Sequence, residues 1–96
     1  MTTMTKTTHI QLQIDDSDPP RVLAAVQKIY EEVAAAKDAG KTDGVSEYVD
    51  GSRTNIKRVW VDQAAADEHI AKVLEFAQES GITVLSAVVL DGGSLT

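Results

Sequence analysis

The chain has 96 residues, 25% of them charged and 43% hydrophobic, the balance of one ordinary globular domain with a modest core. Fifteen acidic residues against nine basic ones give a net charge of −6, which excludes non-specific nucleic-acid binding through phosphate neutralisation. The absence of cysteine excludes disulfides, thiolate metal sites and a thiol nucleophile, and no run reaches the ~18 apolar residues of a membrane-spanning helix.

Residues 1–8 hold five threonines and one lysine but no apolar run, so they are expected to form a flexible tail and not a signal peptide. A cytoplasmic protein without a membrane partner is the corresponding expectation. Residues 9–15 alternate strictly. Ile10, Leu12 and Ile14 point one way and His9, Gln11 and Gln13 the other, which is the period of a β-strand. The run DDSDPP at residues 15–20 stops it, with Asp18 as candidate N-cap and Pro19 at the first helical position. Three carboxylates there also suit the positive end of a helix dipole.

The following helix is expected to reach about Ala39. Its apolar stripe is Val22, Val26, Ile29, Val33 and Ala36, flanked by Leu23 and Tyr30, and Gly40 suits the left-handed position past its end. Residues 41–44 read as a loop. Residues 45–49 and 56–62 read as two strands around the turn at residues 50–52. In the second of these, Val59 and Val61 share one face and Ile56, Arg58 and Trp60 the other. The parity of the connection decides on which of these faces Tyr48 lies, and the sequence leaves that open.

Asp62 can cap a second helix that runs to about Ser80 and stops at Gly81, with Ala66, Ile70, Val73, Leu74 and Ala77 as its buried stripe. Residues 82–90 are apolar in both registers, the pattern of a strand covered on both sides. Residues 92–96 read as a flexible C-terminal tail, leaving residues 9–91 as the domain. The order is β-α-β-β-α-β. Right-handed crossovers place the first and third strands centrally and both helices on one face. This is the ferredoxin-like α+β sandwich.

Two helices cover one sheet face only. The other is expected to carry His9, Gln11 and Gln13 from the first strand with Ile56, Arg58 and Trp60 from the third. The last strand adds either Val84, Ser86 and Val88 or Leu85, Ala87 and Val89. An apolar surface of that size is uncommon on a monomer, so a second copy of the chain is the expected cover.

The stretch RVWVD at residues 58–62 followed by QAAADEH at residues 63–69 resembles a pattern of the dimeric α/β-barrel superfamily. There a strand ends in an aromatic and leads into an Ala-rich helix start with a His one turn in. That group includes antibiotic-biosynthesis-monooxygenase-type and stress-responsive barrel domains. The resemblance spans residues 9–90 in topology and about a dozen residues in motif. It implies a homodimer enclosing a cavity for an apolar or aromatic small molecule, sometimes haem, and in some members oxidation by oxygen without a cofactor. This chain lacks the Asn-and-Trp or haem-ligand constellation that would complete the match.

Each candidate residue has a functional and a structural reading. His9, on the open face, is an acid/base group or ligand contact, or else a hydrogen-bonded interface histidine. His69, about 80° from the centre of its helix stripe, is a ligand contact or a half-exposed packing residue. Trp60 is a stacking wall for a ligand or a dimer-core anchor. Arg58 is a carboxylate anchor or a rim residue in an ion pair. With Gln11 and Ile56, these residues form the expected cavity lining. A His9/His69 metal pair finds no supporting spacing, so neither metal nor cofactor is expected. Arg53, Lys57 and Arg58 form one basic cluster, but the strands lack the sheet-face aromatics of an RNA-recognition module. Residues 15–23 are similar to the first turn of amino-acid-binding ACT-type domains, though Pro20-Arg21 stands where those need glycine. The acids at residues 15–18 fit no calcium loop and suit capping. The functional expectation is a small dimer that binds an apolar, fatty-acid-like or aromatic molecule over the open sheet face. The alternatives are a cofactor-independent monooxygenase-like enzyme using His9 and Trp60, or a purely structural dimer.

Overall fold

A computed structural model describes residues 5–13, 19–51 and 54–93. The elements are β1 (Lys6–Gln13), α1 (Pro19–Asp38), β2 (Glu47–Tyr48), a short 3-10 turn (Val49–Gly51), β3 (Asn55–Trp60), α2 (Gln63–Ser80) and β4 (Thr83–Asp91). The strands form one antiparallel sheet in the order β2-β3-β1-β4, with β1 and β3 central, and the helices pack together over it. The fold is the ferredoxin-like α+β sandwich. Ile14, the carboxylates at residues 15–18 with the Asp18 cap, Arg53 and residues 94–96 lie outside the described residues.

Strand β1 begins at Lys6, three residues before its polar/apolar alternation becomes visible, because Thr7 and Thr8 pair with both neighbouring strands. The expected strand over 45–49 shrinks to two residues. Before it, Thr42 bridges to Trp60, and its hydroxyl donates to the Val59 carbonyl at 2.7 Å. Gly44 then turns at φ 77°, where a Cβ would lie 2.9 Å from the Lys37 side chain. Glycine takes this bend without the strain a side chain would bring at that φ, and the bend presents Ser46 toward the sheet.

Helix α2 is capped at both ends. The Asp62 carboxylate accepts from the Ala65 N–H at 2.8 Å, and Gly81 at φ 69° donates its own N–H to the carbonyls of the last turn. Alanines at 65 and 66, both buried, let this helix lie close to the sheet over Trp60. Two apolar clusters result. One gathers Ala36, Trp60, Ala65 and Ala66, and the other Ile10, Leu12 and Val73 with Ile29, Ile70 and Val84 against them.

The register overturns one expectation. Residues directly opposite each other in an antiparallel pair share a face. Ile10 pairs with Ile56 and Thr8 with Arg58, so Ile56, Arg58 and Trp60 lie with Thr8, Ile10 and Leu12 beneath the helices. They do not share the open face with His9, Gln11 and Gln13. Tyr48 pairs with Ile56 and so takes the helix side as well. The open face carries His9, Gln11, Asn55, Lys57 and Val59 with Ser86, Val88 and Leu90 of β4. A register shift between Gln11 and Leu12 leaves Leu85 exposed beside them.

Candidate functional site

Between the two apolar clusters lies a polar group that the sheet and both helices build together. Its base is the Thr8–Arg58 pair of the central strands. The Trp60 indole N–H donates to the Thr8 hydroxyl at 3.0 Å, and that hydroxyl donates to the Arg58 carbonyl at 3.3 Å. Thr8 therefore satisfies the indole, as a buried donor requires. Above them His69 of α2 stacks on Trp60, with ring centroids 4.5 Å apart and planes tilted by 32°. From α1, Glu32 holds the other side of the imidazole, its Oε2 lying 2.9 Å from Nδ1. The remaining ring nitrogen, Nε2, lies 3.5 Å from Arg58 Nη1.

These contacts define the histidine tautomer. A carboxylate only accepts and a guanidinium only donates. His69 therefore carries its proton on Nδ1, donates it to Glu32, and accepts from Arg58 through Nε2. Burial pushes His69 below the ordinary histidine range and the Arg58 charge adds to this, while the hydrogen bond and charge of Glu32 oppose it. The neutral imidazole is the form that fits the geometry.

Arg58 is 5% exposed. Burial also pulls its pKa down, against the attraction of the Glu32 carboxylate, the largest opposing influence. An arginine stays charged under any such shift. Its Nη2 donates to the Ser46 hydroxyl, the contact that the bend at Gly44 makes possible. Its Nε is buried and has no hydrogen-bond partner among the described residues. The ion pairs there join Lys6 to Asp91, Lys28 to Glu79, Lys41 to Glu68 and His69 to Glu32, so Arg58 meets Glu32 only through the imidazole.

A cavity of about 140 Å³ opens beside this cluster, between α1, α2 and the sheet. Ile10, Leu12, Val26, Ile29 and Val73 supply its apolar wall, and Arg58 and His69 its polar end. Tyr30 and Tyr48 also line it, with hydroxyls 3.3 Å apart, and both are exposed, so they stand at its rim. No group of three or more metal-ligating side chains occurs among the described residues, nor does a helix long and apolar enough to cross a membrane.

The six expected lining residues divide. Ile56, Arg58 and His69 line this cavity, and Trp60 lies against its polar end through His69. His9 and Gln11 lie on the opposite face of the sheet, where His9 Nε2 meets Asn55 Oδ1 at 2.9 Å. His69 is 2% exposed, which corrects its reading as a half-exposed boundary residue. The 3/4 spacing 66-69-73-77-80 places it within the buried stripe, and all five residues are buried. Glu32, Thr8 and Ser46 were not anticipated. Glu32 did leave a signal, because it continues the α1 stripe at 25-29-32-36, where a carboxylate is out of place unless it has a buried partner.

The fold and the cluster define a ferredoxin-like domain with a polar core site at the inner end of an apolar cavity. Two solved structures share this architecture. One is a protein of Bacteroides thetaiotaomicron provisionally named an antibiotic biosynthesis monooxygenase, 16% identical, with a TM-score of 0.54 over 97% of this chain and 90% of that one. The other is the structural-genomics protein YjcS, 14% identical, with a TM-score of 0.51 over 98% of this chain and 100% of that one. At such identities the likeness is one of fold. No protein-family model and no curated relative matches the sequence.

Proposed function

We propose that this protein binds one small, mainly apolar molecule in the cavity between its helices and its sheet. The observation that carries this reading is the cavity itself, with aliphatic walls and a polar group at one end, the usual make-up of a small-ligand site. Its volume of about 140 Å³ is near that of apolar cavities that accept a single benzene ring. The site lies within one chain, on the helix side of the sheet. The open face keeps the role of contact between two copies, supported by exposed Leu85, Val88 and Leu90 along β4. A sedimentation-equilibrium run that gives a monomer at micromolar concentration removes the dimer and leaves the cavity reading standing.

Methyl-resolved NMR with toluene as the probe tests the cavity. Toluene is expected to shift the methyl signals of Ile10, Val26 and Val73, and Val26→Phe is expected to abolish the shifts by filling the space. Unmoved methyls at millimolar toluene would refute the reading.

A further inference from the structure

We infer that the ligand of this cavity is a small monocarboxylate whose carboxylate pairs with Arg58. The inference rests on the cavity reading above and names the class of molecule that the polar end selects.

Among the described residues, Arg58 is a buried cation hydrogen-bonded only to neutral groups. Its direct partners are a hydroxyl, Ser46, and a neutral imidazole, His69, the latter at the long distance of 3.5 Å. The Nε–H, one of five guanidinium donors, has no hydrogen-bond partner at all among the described residues. Buried charges are ordinarily met by an opposite charge in direct contact. Here the nearest compensating carboxylate, Glu32, acts from behind the histidine.

The planar fork of arginine matches a carboxylate in two parallel hydrogen bonds, stronger than any bond to a neutral acceptor. The same side chain lines a cavity whose wall is mostly aliphatic, with His69 beside Arg58 and the Tyr30 and Tyr48 hydroxyls at the rim. A molecule with a short apolar body and one carboxylate fits both ends. Charge sets the valency. Glu32 already opposes Arg58, so a dianion such as a phosphate monoester would crowd three negative charges around one cation. Volume sets the body, since about 140 Å³ holds one ring or a chain of about six carbons.

The test uses matched pairs of acid and amide, benzoate with benzamide and hexanoate with hexanamide, titrated into the full chain by isothermal titration calorimetry at pH 7.5. The acids are expected to bind at least tenfold more tightly than their amides while shifting the methyls of Ile10, Val26 and Val73. Equal affinities overturn the carboxylate inference and leave the cavity reading in place. Failure of all four compounds and of toluene overturns both. Acid binding without movement of those methyls puts the carboxylate elsewhere and also overturns the inference. Arg58→Met is expected to remove the preference for acid over amide while amide binding persists. Arg58→Lys, which keeps the charge and loses the fork, is expected to reduce the preference, and it serves if the Met variant does not fold. An unchanged preference in a folded variant rules Arg58 out as the anchor.

Discussion

Replacing Trp60 with alanine separates two arrangements of this sheet. If Trp60 lay on the open face, its loss would weaken the contact between copies and leave the fold of each chain largely intact. In the structure it is 1% exposed, enclosed by Ala36, Ala65 and Ala66, stacked on His69 and hydrogen-bonded to Thr8. A fully buried Trp→Ala change costs about 3–5 kcal/mol, because the lost transfer energy is joined by the cavity left behind. The small alanines around it offer little side chain with which to collapse into that space. A chain of this length has a total stability on the order of 5–14 kcal/mol, so the change removes a large share of it. Urea unfolding followed by far-UV circular dichroism is the assay, with midpoint and slope fitted separately. The midpoint is expected to fall by the equivalent of those kilocalories, and the melting temperature by on the order of 20 °C. Trp60→Phe keeps most of the volume and loses the bond to Thr8, so its cost is expected to be smaller, about 1–2 kcal/mol. A loss below about 1 kcal/mol in Trp60→Ala, accompanied by a shift from dimer to monomer, would show that the residue faces outward and that the pairing of β1 with β3 is wrong.

Stability should also respond to pH through His69. Its folded pKa is depressed, so below the ordinary value of about 6.5 the unfolded chain takes up a proton that the native chain refuses. Stability is therefore expected to be complete above that pH and to decline as pH falls through it, and His69→Gln should flatten the decline between pH 7 and 5. An identical slope in wild type and variant would assign the effect to other groups. Asp62→Ala removes the side-chain acceptor at the start of α2 and is expected to cost about 1 kcal/mol in urea unfolding, without altering ligand affinity. No change in midpoint would mean that water replaces the cap without loss.

The sequence by itself determined the order of elements and which residues of the two central strands share a face. The period-2 runs define which residues of β1 and of β3 travel together, and the period-3.6 stripes, the Asp62 cap and the stop at Gly81 mark α2. These are local properties, set within a few residues by sterics and hydrogen bonding. Arg58 and Trp60 drew notice as strand-face residues and His69 as a residue at the edge of its helix stripe, and the structure brings those three together beneath the helices, not on the open face.

Which face of β3 meets the helices was decided only by the tertiary structure. Alternation is unchanged by a one-residue slip in pairing, and such a slip exchanges every inward residue for an outward one. Judged on hydrophobicity alone, Val59 and Val61 suit the core better than a register containing Arg58. The buried arginine becomes tolerable only once Glu32, Ser46 and His69, from three other segments, surround it. His69 could not be read as buried before Glu32 stood opposite it, 37 positions away in the chain. A burial pattern that depends on the mutual compensation of distant charges has no local signature. It exists only when the helices and the sheet have been packed together.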